Sequence, residues 1–372
     1  MSLTEFDADR PPEKPRRRRG DGRRRRRRGL GEIGMGDGSR EGAVVEDVEF
    51  ERADEYGSYY GRPVVKAPPW KAPIAVYLFL GGVAGGSGLL AFGAQCTRRP
   101  LLRRNARLVA LGTVGLGTVA LIEDLGRPER FLNMMRTVKV TSPMSLGTWV
   151  VGGFASLSGV LGALEVDRMT GRKLPLGPLR PLLGAAEGPA SLGQVVLAPL
   201  LASYTGALLG NTIVPTWEAG RGHLSYLFAS SASLAAGGAA MVTTPVAEAG
   251  PARLLAAAGV AGDVVSMHRM KESMHPLERE PLETGTPGKL LTWAERLAVA
   301  GGIGALLGGR SRVVAAASGA ALLTASALTR FGVLNAGLES VKDPRRVIEP
   351  QKARLAARRA AGITDDSITA GG

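Results

Sequence analysis

The residues able to do chemistry in this sequence are few, and most stand inside or at the ends of long apolar stretches. Glu123 and Asp124 are adjacent carboxylates closing one such stretch, with Arg127 three residues beyond Asp124. A carboxylate partly withdrawn from water holds its proton more tightly and can act as a general acid or base. Gly126 and Pro128 end any helix here, so a turn locked by an Asp124–Arg127 salt bridge is the competing reading. Asp263 and Arg330 each fall within an apolar stretch. Ionisable groups at membrane depth are costly and turn inward to pair, so an Asp263–Arg330 ion pair and a place on a proton path are expected. Tyr77 and Tyr204 also lie within apolar stretches. A buried phenol needs a hydrogen-bond partner, so each is either a core tyrosine on a backbone carbonyl or a donor to a ligand carbonyl. His268 and Arg269 read as an interfacial pair.

Other chemistries are excluded by count. The one cysteine, Cys96, leaves no disulfide framework, no Cys-ligated iron–sulfur cluster and no structural zinc site. Three histidines, His223, His268 and His275, are too few for two haems held by histidine pairs. No metal, haem or cluster is therefore expected in this chain. The run GGVAGGSG at 81–88 lacks the lysine and the preceding strand of a phosphate loop, so its glycines read as packing residues.

The elements that must position these residues are membrane helices. Hydrophobic residues make up 45% of the 372, yet aromatics only 5%, and 52 are glycine. A soluble core so poor in large side chains packs badly, whereas helices in lipid favour small residues where they touch. Apolar stretches of bilayer-spanning length recur, continuous rather than alternating, which predicts helices and not a β-barrel. Eight spans are expected, at about 74–94, 107–123, 144–164, 192–209, 224–242, 252–267, 291–307 and 313–334. The sixth is short and polar. Start signals agree: Pro73 before the first span, Ser142-Pro143 before the third, Pro189 before the fourth and Pro251 before the sixth. Gly81 with Gly85, and Gly82 with Gly86, stand at the spacing that lets helices approach closely. The fold class is thus an all-α integral membrane protein, a bundle of about eight transmembrane helices.

Polar stretches flank the bundle. Residues 1–68 carry no apolar periodicity and read as a disordered tail; 69–340 form the membrane domain; 341–372 form a polar C-terminal tail. No apolar leader opens the sequence, so no cleaved secretory peptide is expected. The net charge of +14 is concentrated in arginine runs at 16–19 and 23–28. Such runs bind phosphate without sequence preference, but no folded nucleic-acid module follows them. Anionic lipid or a partner protein is the expected neighbour rather than nucleic acid. Positive charges near span ends are almost balanced between the two sides, and the arginine tail tips the termini toward the cytoplasm.

Several blocks carry a resemblance. Tyr77-Leu78-Phe79-Leu80-Gly81-Gly82 opens the first span, Glu123-Asp124-Leu125-Gly126-Arg127-Pro128 with Arg130-Phe131 ends the second, and Thr141-Ser142-Pro143-Met144-Ser145 opens the third. Weaker matches follow at Tyr204-Thr205-Gly206, Pro215 with Trp217, Arg330-Phe331-Gly332, Ala336-Gly337 and Asp343-Pro344. In these blocks the chain resembles the NrfD/polysulfide-reductase family of membrane subunits. The resemblance implies a multi-pass subunit of the cytoplasmic membrane with no redox cofactor of its own. It implies a bound quinone, menaquinone or ubiquinone, and docking to a ferredoxin-like iron–sulfur subunit beside a molybdopterin oxidoreductase subunit. Mapped onto this sequence, Tyr77, Tyr204 and Arg127 become quinone-site candidates and Glu123 and Asp124 its proton-exchanging groups. Asp263 and Arg330 remain proton-path candidates. Some relatives place a histidine near the first span; here none lies in or beside it. No complete active site is expected in the chain alone. The alternatives are a secondary transporter and a purely structural membrane anchor.

Overall fold

The computed structural model describes residues 63–125 and 141–362, with single residues of the loop between them, and each structural statement below concerns those residues. The expected arginine-rich tail up to 62, and Arg127 with its turn, lie outside them. The described residues are helical throughout, with no strand.

Proline sets several helix starts because a first-turn residue needs no N–H partner. It does so for α1 (Ala72–Cys96), α2 (Pro100–Asp124) and α3 (Pro143–Met169). Ser142 caps α3 by accepting from the Ser145 N–H, as the sequence predicts. Next come α4 (Leu179–Gly210), the single-turn α5 (Pro215–Ala219), α6 (Arg221–Thr243) and α7 (Gly250–Ser273). The last four helices are α8 (Pro276–Glu283), α9 (Gly285–Leu307), α10 (Arg312–Ser340) and α11 (Arg345–Ala360).

Seven of these, α1 to α4, α6, α9 and α10, are long and apolar enough to cross a membrane. The sixth predicted span forms as α7, long enough at 24 residues but too polar to join them. Pro189 does not start the fourth helix. It lies inside α4 with Pro199, and the helix runs back to Leu179. Neighbouring helices tolerate such prolines in membrane bundles by satisfying the freed carbonyls.

Glycine determines how closely the helices pack, and α1 is the central strut. A Cβ on Gly85 would sit 2.7 Å from the Ala198 carbonyl of α4, and one on Gly86 would sit 2.8 Å from the Ala232 carbonyl of α6. The two glycine pairs seen in the sequence thus face two different neighbours. Outward-facing Leu116, Val119, Leu192, Val196, Ile303 and Leu307 are exposed, as lipid contact requires.

Antiparallel packing gives the bundle two ends. One gathers the starts of α1, α3, α6 and α9 and the ends of α2, α4, α7 and α10, and carries α5, α8 and α11; it is called the α5 face below. Trp217 of α5 is fully buried there. Its indole N–H donates to the Val333 carbonyl at 2.8 Å, and its ring stacks on Trp70 with centroids 5.4 Å apart. Gly337 lies against that ring, where a Cβ would collide. The stretch expected as a polar tail after 341 forms α11. It docks through Arg354 to the buried Glu278 at 3.0 Å and through Arg346 to Glu280 at 3.2 Å.

Candidate functional site

The first turns of α1 and the last turn of α2 build one end of the site. Asp124, the last residue of α2, is half-buried beside the Lys71 backbone at the start of α1. A carboxylate over a helix N-terminus is held by the unpaired amides there. Glu123 instead points outward and is exposed. The two adjacent carboxylates are therefore unequal, and only Asp124 faces the bundle.

Tyr77 lies six residues into the membrane from Lys71, about 9 Å along α1 at 1.5 Å per residue. It is buried, and its hydroxyl meets that of the half-buried Tyr204 from α4 in a hydrogen bond. Small residues make room for the pair. Gly117 of α2 faces the Tyr77 ring, and Gly147 of α3 faces the Tyr204 ring so closely that a Cβ would overlap it. Four helices thus converge on two phenol groups. Each phenol has one O–H to give. Within the pair one O–H serves the other oxygen, so the second proton has no acceptor among the described residues. An arrangement of this kind can present one donor to a carbonyl oxygen. Leu80, beside Gly117 with Tyr77, also lines an apolar groove of about 460 Å³ running past Phe79, Val83, Val109 and Leu323.

Asp263 and Arg330 do not form the expected ion pair; no contact within ion-pair distance joins them. Arg330 is fully buried on α10 and turns toward α6. There it donates to the Phe228 carbonyl at 2.7 Å and lies 3.7 Å over the Phe228 ring centroid. The carbonyl and the ring face replace the carboxylate as its partner. His268 pairs with Glu272 one turn on, at 3.2 Å. No group of three or more His, Cys, Asp or Glu residues able to hold a metal occurs among the described residues.

One cluster escapes the sequence reading. At the end opposite the α5 face, the buried Arg107 of α2 donates to Glu165 of α3 and Glu187 of α4, both at 2.8 Å. Its other nitrogen reaches Gln95 of α1 at 2.6 Å and Ser191 of α4 at 3.0 Å. Arg103 and Arg168 complete the charges around Glu165 and Glu187. Every polar partner here is satisfied, and four helices are tied together. The usable signal was opposite charge at adjoining span ends, Arg107 just inside the second span and Glu165 just past the third.

Known proteins resemble the part of the sequence that builds this geometry. The family model described as polysulphide reductase, NrfD, matches residues 64–251, half of the chain. The C polypeptide of polysulfide reductase from Wolinella succinogenes is 31% identical over 151 residues, covering 38% of this chain and 47% of that protein. Protein NrfD of Escherichia coli is 34% identical over 160 residues, 38% of this chain and 48% of its own length. The NrfD homolog of Haemophilus influenzae is 28% identical over 159 residues, covering 39% and 49%. The chain spans about half the length of the curated relatives it matches. The matched region carries Tyr77, Asp124, Gly147 and Tyr204 together.

Proposed function

Because the chain belongs to the polysulphide reductase NrfD family, a family of membrane subunits of oxidoreductases, we propose that it binds a membrane quinone and passes electrons between the quinone pool and an iron–sulfur partner subunit, beside a molybdopterin subunit. The carrying observation is the Tyr77–Tyr204 hydroxyl pair with its one unassigned proton, set where four helices converge below Asp124. A quinone supplies a two-electron, two-proton redox couple. The protein's own residues do the rest. The tyrosine pair donates to one quinone carbonyl and fixes its position. Such a donor stabilises the reduced, more negative oxygen more than the oxidised one. Asp124, nearer the aqueous end, gives or takes the proton that accompanies the electrons. The apolar groove past Leu80 suits an isoprenoid tail. One cysteine and three histidines leave no ligand set for a cluster in this chain, so in this reading the electrons pass to a cluster in the partner docked at the α5 face. The cytoplasmic membrane is the proposed location.

Replacing Tyr204 with Phe keeps the ring against Gly147 and removes one hydroxyl. The lost hydrogen bond is worth about 1–3 kcal/mol, or roughly a five- to 150-fold loss in quinone-dependent turnover. Dye-linked activity of the partner subunits in the same assembled complex should be unchanged. Asp124→Asn should slow quinone-linked turnover in the same selective way. Unchanged quinone kinetics in Tyr204→Phe returns the tyrosine to a packing role, and loss of assembly in Asp124→Asn makes Asp124 a lock on the start of α1.

A further inference from the structure

Two buried charges in the second half of the bundle remain unsatisfied. Asp263 of α7 is 6% exposed, and its Oδ1 has no hydrogen-bond partner. Arg330 is fully buried, and its Nε and Nη1 have none either. Polar atoms left bare in lipid are expensive, and internal water is the usual remedy. A place for water exists. A cavity of about 110 Å³ lies among α7, α9 and α10, lined by Asp263, Met267, His268, Lys271, Glu295 and Thr329. At about 30 Å³ each, three or four waters fill it.

The lining is graded. Asp263 and Thr329 are buried; His268 and Glu295 are exposed. His268 stands near the α5-face end of α7, with Lys271 beyond it, while Glu295 stands mid-helix on α9, level with Asp263. The cavity thus leads from that surface to a buried carboxylate. The charged groups around Asp263 are Arg330 from α10, Glu295 from α9, and His268 and Lys271 from α7 itself. On the remaining side α6 meets α7 through Ser230 at Gly262, and α6 has no ionisable side chain between Tyr226 and its end. Lys271 and Arg330 place positive charge beside the carboxylate, which disfavours a metal cation and favours water.

We propose that this cavity is a water-filled inlet through which Asp263 exchanges protons with the aqueous phase on the α5 face. A proton from the aqueous phase is relayed through the cavity waters, each taking one proton as it gives one, to the carboxylate oxygen, forming the neutral acid, and the reverse relay returns it. Arg330 is a positioning residue, a fixed positive charge that keeps the carboxylate able to release its proton. The inlet goes beyond the quinone reading and does not depend on it.

The test uses the full-length protein in its assembled complex with Cys96→Ser, since Cys96 is the chain's one cysteine, and this chain is separated from its partners after denaturation before its thiols are counted. Ala294→Cys places a thiol on the cavity wall, and Ala298→Cys places one a turn deeper, buried and off the wall. Lys352→Cys on the exposed part of α11 reports the α5 face. Silver ion, small enough to follow water, is added to sealed vesicles of either orientation, and protected thiols are counted by maleimide alkylation after denaturation. The expected result is protection at 294 from the same side as at 352, at least tenfold faster than at 298. A second readout is the infrared band of a protonated carboxyl that shifts in heavy water within seconds and is absent in Asp263→Asn. Equal slow reaction at 294 and 298, reaction at 294 from the side opposite 352, or protection by sodium ion independent of pH would each overturn the inlet. If Asp263→Asn fails to assemble, the thiol measurement decides alone.

Discussion

At the scale of single residues, the candidate site depends on who is allowed to be small. Gly147 has no side chain because the Tyr204 ring occupies that space. Gly147→Ala should push the Tyr204 ring aside and break its hydroxyl contact with Tyr77. Quinone KM should rise several-fold while the complex still assembles; unchanged KM would separate Gly147 from the site. Arg107 shows the opposite economy. It satisfies Glu165, Glu187, Gln95 and Ser191 at once, and Arg107→Met would leave the buried Glu165 to the more exposed Arg103 and Arg168. Removing one partner of a buried ion pair costs about 3–5 kcal/mol. A marked fall in the melting temperature of the purified complex is expected, and further substitution of Glu165 by Gln, with Glu187 kept for Arg168, should recover part of it. A melting temperature unmoved by Arg107→Met would make the network ornamental.

Elements differ in how far the sequence foretells them, and the difference is one of range. The cap at Ser142 is local, so it is readable and present. The spans are readable because an apolar run of bilayer length has few alternatives. Pro189 misleads because a proline in lipid is tolerated inside a helix when neighbours take its carbonyls. Tyr77 and Tyr204 are each visible as phenols in apolar stretches, but their meeting joins residues 127 apart and needed the fold. The Arg107 network joins partners 58 and 80 residues apart and stayed hidden for the same reason. The Asp263–Arg330 pair was expected from charge alone, and a backbone carbonyl with an aromatic face won Arg330 instead. Composition also hid α11, whose face toward α8 is ionic rather than apolar. Its start rests on Asp343, which accepts from the Arg345 N–H at 2.9 Å and from the Arg345 guanidinium. That hydrogen-bonded guanidinium holds the Asp343 carboxyl below the usual aspartate range. A lowered carboxyl stabilises the docked helix fully above the ordinary aspartate value of about 4 and loses that contribution as the pH falls below it. The protection of amides along α11, relative to their intrinsic exchange rate at each pH, should therefore fall as the pH drops from about 5 toward 3, more steeply than in Asp343→Asn. Identical pH profiles would remove Asp343 from the docking of α11.

For the whole molecule, the two ends of the bundle divide the work. One end is closed by Arg107 and its satisfied carboxylates, a lock with nothing left to donate. The other carries Asp124 at the start of α1, the tyrosine pair below it, the cavity leading to Asp263, and the layer of α5, α8 and α11 over Trp217. A subunit that exchanges electrons with a partner needs that partner close to its quinone, because transfer falls steeply with distance. The proposed function therefore puts the partner on the α5 face. A photo-crosslinking residue at Lys352, exposed on α11, should capture the iron–sulfur subunit in the assembled complex, and one at Lys173, exposed in the loop between α3 and α4 at the other end, should not. The quinone-linked and dye-linked activities of both labelled complexes should match the parent, since neither lysine touches the tyrosine pair or Asp124. Capture from Lys173 with none from Lys352 would place the partner over the Arg107 lock. Electrons would then have to cross the full depth of the bundle to reach Tyr77 and Tyr204, and the quinone site would have to be sought at the other end.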